Sequence, residues 1–250
     1  MMGTGAGDVG IARLLERNGA RMIDAAGDAR RALGRSALTR RLWEEFAAFD
    51  PIRRSLAPVN SRGLPFRPAS SRQDDLLRTL TRDRWIQVDG TGVPRCVNAE
   101  AERYLRGGWL EELAWLAVRA GGATEAVLGQ KIEWTVGEHV GFNEIDVLAR
   151  RGAVLSVTSC KTACPVVGAS QRERLHDFLL EVGYWEEHFA AGEGRALLLV
   201  TTDLVDEAIG AVRVPTLFAR AAVLDIELVG LDHDRFDALV AAYRRHWDGA

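Results

Sequence analysis

From residue 98 onward the hydrophobic period switches repeatedly between the three-and-four spacing of a helix and the alternation of a strand. Helices are predicted over 98–105 and 109–119, followed by three consecutive strands over 126–136, 142–150 and 153–160. A long helix over 168–190 leads to the continuously apolar Ala196-Leu-Leu-Leu-Val-Thr, which reads as a buried strand. A helix over 216–222, the strand Leu224-Asp-Ile-Glu-Leu-Val and a last helix from Asp232 to Trp247 complete the order. The succession α-β-β-β-α-β-α-β-α predicts an α/β fold, a mixed sheet flanked by helices.

The upstream part is different. Over about 8–49, Ile11, Leu14, Leu15, Met22, Ile23, Leu33, Leu38, Leu42, Trp43 and Phe46 recur at helical spacing, which predicts two helices. Asp50-Pro51 is expected to stop that pattern, and the Pro, Gly and Ser residues between 57 and 71 read as a linker. Ser71 to Asp75 offers caps for a short helix, and 85–97 reads as two short strands around Asp89-Gly90. Helix then hairpin is the form of a winged-helix-like piece. The expected domains are therefore 1–71, helical extension and linker; 72–97, winged-helix-like module; and 98–250, the α/β domain.

Composition excludes several classes. Apolar residues make up 47% and charged residues 27%, the balance of a globular chain rather than a disordered or fibrous one. No window approaches a membrane span, and the first residues lack the order of a signal peptide, so a cytoplasmic protein is expected. Three cysteines, Cys96, Cys160 and Cys164, leave one over in any paired disulfide framework, in keeping with a reducing compartment. Residues 1–100 carry 17 arginines against 12 acids, whereas 101–250 carry 15 basic residues against 23 acidic ones. A basic front on an acidic body suits a nucleic-acid protein, and equally a solvated surface. Of 32 basic residues only Lys131 and Lys161 are lysine. Either chance leaves lysine there, or those positions call for what a compact ammonium does and a guanidinium does not.

Three short blocks carry the chemistry. In Asn143-Glu-Ile-Asp-Val-Leu, strand alternation sets Glu144 and Asp146 on one face. On the following strand, Ser159 and Lys161 share a face by the same alternation. Ahead of both, Gly107-Gly-Trp-Leu-Glu-Glu opens a helix with Glu111 and Glu112 in its first turn, where the helix dipole favours negative charge. Carboxylates that hold Mg²⁺ or Mn²⁺, with a cation beside an attacking water, are the parts that phosphodiester hydrolysis needs.

Helix carboxylate, strand Asp and a Lys two along from a polar residue resemble the PD-(D/E)XK nuclease superfamily. The wording around them, with Ser159-Cys-Lys-Thr as the third block, is similar to the nuclease domain of the CRISPR-associated ancillary nucleases switched on by cyclic oligoadenylates. The likeness covers about residues 72–230 and implies a restriction-endonuclease-like core and metal-dependent cleavage of nucleic acid, single-stranded DNA or RNA being favoured. It implies Asp146 as central metal ligand, Glu111 as helix carboxylate with Glu112 as the alternative, the Cys160 backbone carbonyl as a further ligand, and Lys161 as catalytic lysine. It also implies a homodimer.

Two departures accompany it. The acid of the (D/E)XK pattern is Ser159 here, a poor ligand for a hard cation, so Glu144 supplies the missing charge, or one metal is held through water, or the site is weak. Residues 1–70 are too short and too helical for the family's sensor domain, so ligand switching is not implied for this chain by itself. Gln171 and Arg172 either face the site and touch a phosphate or are a solvent-facing helix start. The glycines of the first seven residues read as a loose terminus rather than a phosphate loop, and three cysteines with five scattered histidines give no zinc spacing. Two rivals remain: a nuclease-fold subunit that binds or scaffolds without cutting, and a thiol enzyme built on Cys160.

Overall fold

The chain is seen here as a computed structural model, which describes residues 10–24, 27–58, 63–163, 165–166, 168–190, 193–206 and 208–248. Cys164 and the first seven residues lie outside them. In chain order the elements are α1 (Ile11–Arg17), β1 (Ala20–Met22), α2 (Ala29–Gly34), α3 (Ser36–Glu44), α4 (Phe46–Ser55), α5 (Ser71–Arg82), β2 (Ile86–Val88), β3 (Pro94–Cys96) and α6 (Ala99–Arg103). They continue as α7 (Trp109–Ala120), β4 (Glu125–Val136), β5 (His139–Arg151), β6 (Val154–Lys161), α8 (Ala169–Ala190), β7 (Arg195–Val200), β8 (Val205–Asp206), β9 (Ala211–Val212), α9 (Pro215–Val223), β10 (Ile226–Val229) and α10 (Phe236–Asp248). Two compact units result, one of residues 1–36 with 111–250 and one of residues 37–110. The expected extension, 1–71, is thus divided between them.

The larger unit is built on a six-stranded mixed sheet of order β1-β4-β5-β6-β7-β10. β4, β5 and β6 pair antiparallel, as the short turns between them permit, β1 from far upstream joins β4 antiparallel, and β6, β7 and β10 pair parallel across helical connections. One face is covered by Ile11, Leu14 and Leu15 of α1, Leu175, Leu179 and Val182 of α8 and Leu217 of α9, packed on Ile132, Ile145, Leu148, Leu155, Val157 and Leu198. β7 is buried along Ala196 to Val200, which explains its unbroken apolar run. On β6, Ser156 Oγ bonds His246 Nε2 of α10 at 2.8 Å and Thr158 Oγ1 bonds the Tyr243 hydroxyl at 3.1 Å, all four residues buried.

The smaller unit centres on Trp109, whose ring lies 5.8 Å from Phe46 and 5.5 Å from Phe49. The helix-then-hairpin is present as α5 and β2–β3. Ser70 caps α5 by accepting the Gln73 N–H at 3.3 Å, and the Gln73 side chain accepts the Ala69 N–H at 2.6 Å. No helix among the described residues is long and apolar enough to cross a membrane.

Four local expectations are corrected. The two predicted N-terminal helices are four with a strand between them: Gly19, at φ +72°, ends α1, and Ala20–Met22 then pairs with Trp134, Glu133 and Ile132. Asp50-Pro51 does not stop a helix but lies inside α4. The missing N–H of Pro51 is offset there by burial of Phe49 and Ile52 and by Asp50 pairing with Arg53 and Arg54 at 2.6 and 2.8 Å. Gly107-Gly108 does not separate two helices, because Tyr104–Gly108 form a π turn that carries α6 into α7. The short hairpin β8–β9 was not visible as a pattern, having only two residues in each strand.

Candidate active site at a fork in the sheet

The ladder between β5 and β6 ends at the pair Val147 and Thr158, while β6 stays paired with β7 as far as Lys161 and Val200. Ser159, Cys160 and Lys161 therefore keep a partner strand on one edge only, and the sheet forks beside them. The Lys161 carbonyl accepts the Thr201 N–H at 3.2 Å on the β7 side. Alternation then turns the N–H and carbonyl of Cys160 to the other edge, into the fork. There the Asp146 carboxylate accepts the Cys160 N–H at 2.6 Å, taking the place of a ladder bond.

At this level β4 is irregular too. Its pairs with β5 run Leu128 to Val147 and Gln130 to Ile145, with Gly129 between them at φ +59°, a conformation that strains any L side chain. A Cβ on Gly129 would lie 3.5 Å from a Glu144 carboxylate oxygen, ordinary contact, so the backbone angle rather than space selects glycine.

Charges gather at the fork. Burial pushes the Asp146 carboxyl above the usual carboxylate value; the Cys160 N–H and Lys161 oppose that shift, and Glu181 and Glu144 reinforce it. Burial, then the Asp146 and Glu111 carboxylates, push the Cys160 thiol well above its ordinary value, with Lys161 opposing. Asp146 thus bonds the backbone of Cys160 beside Lys161, and the Glu111 charge is felt at the Cys160 thiol. A thiol held protonated by burial is a poor nucleophile, which counts against the thiol-enzyme reading.

The other candidates fall as follows. Glu112 is buried and takes both Oε atoms to Arg35 Nε, at 3.0 and 2.8 Å, with Arg35 Nη2 closing the fork. Of the adjacent helix acids it is Glu111 whose charge reaches Cys160. Ser159 is buried in register with Leu198 of β7 and adds no charge. Glu144 is exposed and lines a depression of about 360 Å³ with Ile23, Asp24, Lys131 and Phe142, where Lys131 pairs with Asp24 at 3.2 Å. Gln171 is buried against Thr202 at 3.4 Å, while Arg172 lines a separate cleft of about 510 Å³ with Asp203, Asp206, Ile209 and Arg213.

Lys161 meets a residue that the sequence did not single out. Its Nζ lies 3.0 Å from the Glu181 carboxylate and 5.1 Å from the centre of the Phe178 ring, both on α8. The only signal was that Glu181 borders the apolar stripe of Leu175, Leu179 and Val182.

Among the described residues no three His, Cys, Asp or Glu side chains are drawn together into a metal cage. Mg²⁺ asks for less, since it keeps several waters and takes one or two carboxylates. A partly buried Asp146 and a nearby Glu111, with hard oxygen donors and an excess of negative charge, fit that smaller requirement.

A mixed sheet that forks between a strand Asp and a Ser-x-Lys strand is the arrangement that the resemblance to PD-(D/E)XK nucleases leads one to expect. Residues 98–213 match the family model of the Card1-like endonuclease domain. Two solved structures share the fold: protein VC1899 from Vibrio cholerae, with TM-score 0.69 and 17% identity over 96% of this chain and 62% of that one, and Can2 from Sulfobacillus thermosulfidooxidans in complex with cyclic tetra-adenylate, with TM-score 0.63 and 14% identity over 95% of this chain and 61% of that one. The chain spans about three-fifths of the length of these two proteins. No curated protein sequence matches it.

Proposed function

We propose that this protein is a metal-dependent nuclease that hydrolyses phosphodiester bonds of DNA or RNA, single strands being favoured, in CRISPR-associated antiviral defence. The observation that carries the reading is the Asp146 carboxylate on the open backbone edge of Cys160, next to Lys161. The endonuclease-domain match over 98–213 supports nuclease activity in general.

Asp146 and Glu111, with the Cys160 carbonyl, would hold Mg²⁺ or Mn²⁺. The ion supplies charge stabilisation at the phosphate and lowers the pKa of an attacking water. Asp146 is oriented by the Cys160 N–H, so its second oxygen is left for the ion. Lys161 places an ammonium beside the negative charge that develops on the phosphate oxygens. Ser159 contributes no charge, and Glu144, on the rim, adds to the negative field. A homodimer in the cytoplasm is the proposed state, checked by light scattering.

The test is cleavage of labelled single- and double-stranded DNA and RNA with Mg²⁺, Mn²⁺ or EDTA, with Asp146→Ala and Lys161→Ala beside the parent. Metal-dependent cutting that both variants lose supports the proposal and names the substrate. The neutral Ser159 favours a second reading, a subunit that binds nucleic acid without cutting. Tight binding by the parent and both variants, with no cutting of any substrate, would establish that reading instead.

A further inference from the structure

Lys161 starts on β6 but is held by α8. Phe178 and Glu181 are three residues apart on that helix and so present themselves to one place. Glu181 takes the ammonium at 3.0 Å, and the Phe178 ring lies under it at 5.1 Å. The helix cannot easily give way, because Leu175, Leu179 and Val182 beside them are fully buried against the sheet.

The ion pair of the ammonium is with α8, and Ser159, two residues before it on β6, is neutral. A free lysine side chain loses rotamer entropy on being fixed, so an ammonium aimed at a reacting phosphate needs a partner that fixes it beforehand. We propose that Glu181 is a positioning residue which, with Phe178, seats the Lys161 ammonium at the mouth of the fork. The catalytic consequence rests on the nuclease reading; the seat itself does not.

The chain has only two lysines, so acylation by an amine-reactive ester, followed by peptide mass spectrometry without metal, reads Lys161 against Lys131 as an internal standard. Glu181→Gln is expected to raise the Lys161 rate up to about fivefold relative to Lys131, the range of a partly exposed ion pair. Phe178→Leu, which keeps the apolar bulk, is expected to give a smaller rise. In cleavage, Glu181→Gln lowers kcat by about tenfold to a hundredfold with KM little changed. An unchanged Lys161 rate in folded Glu181→Gln and Phe178→Leu overturns the proposal, as does a loss expressed only in KM. If the parent cuts nothing, the nuclease reading fails while the labelling ratio still decides the seat.

Discussion

Strand β6 contains two regions that treat polar side chains in opposite ways. Along Ser156 to Thr158 it is paired on both edges, and its polar groups are neutral and matched: Ser156 with His246, Thr158 with Tyr243. Burial holds both partners uncharged, lowering the His246 pKa to about 4, with Arg195 adding to the shift, and raising Tyr243 well above its ordinary value. From Ser159 to Lys161 the strand has lost β5 as a neighbour, and the polar groups beside it are charged and in acid excess. A buried polar residue is therefore no sign of chemistry. What separates structure from function here is whether the backbone edge beside it is closed.

The largest effect that could break this contrast is on turnover. Asp146→Ala and Lys161→Ala should each lower the metal-dependent cleavage rate by about a thousandfold or more while the circular dichroism spectrum is kept. A residual rate within tenfold of the parent would detach the open region from catalysis.

Next comes Glu112, which the contrast assigns to the closed kind although its neighbour Glu111 belongs to the open one. Arg35→Ala leaves a buried carboxylate unpaired and should cost about 3–5 kcal/mol in urea unfolding. Removing both charges in Arg35→Ala/Glu112→Ala should recover much of that loss, and no recovery would contradict the pairing.

A smaller effect is the pH dependence of the closed region. The unfolded chain protonates a histidine near pH 6.5, whereas the folded chain resists until about 4. The unfolded state therefore binds the extra proton in that window, and stability falls as pH drops through it, by roughly 3 kcal/mol in full. His246→Gln should flatten the slope; an equal slope in the variant would assign the acid sensitivity elsewhere.

The smallest effect has the opposite sign. The Asp146 pKa is raised by folding, so the ionised carboxylate costs stability at neutral pH, and the cost disappears as pH falls below the ordinary carboxylate range. Asp146→Asn should be more stable than the parent by roughly 0.5–2 kcal/mol at pH 7, the usual relief at a functional site. Its advantage should shrink towards pH 3.5.

The sheet was legible because its strands and α8 are long and strongly periodic, and Asp146 and Lys161 because their spacing matched a strand pair with a short turn. Glu111 could not be separated from Glu112 in sequence, since adjacent residues in a first turn differ only in what lies opposite, and Arg35 is 77 residues away from Glu112. Glu181 was missed for the same reason: it acts across the sheet face, 20 positions from Lys161 in a different element. β1 was hidden because three residues ending in a methionine satisfy a helical period as well as a strand, and only Gly19 marked the change. Pro51 misled because its local rule was outweighed by tertiary burial around α4.

The most direct test sets one residue from each region side by side, measuring cleavage rate and Tm for Asp146→Asn and Ser156→Ala. Opposite results are predicted: Asp146→Asn loses cutting and melts at a higher temperature, while Ser156→Ala, which strands His246, melts lower and still cuts. Cutting retained by Asp146→Asn, or equal destabilisation of both with equal loss of activity, would contradict the division of β6 into a closed structural part and an open catalytic one.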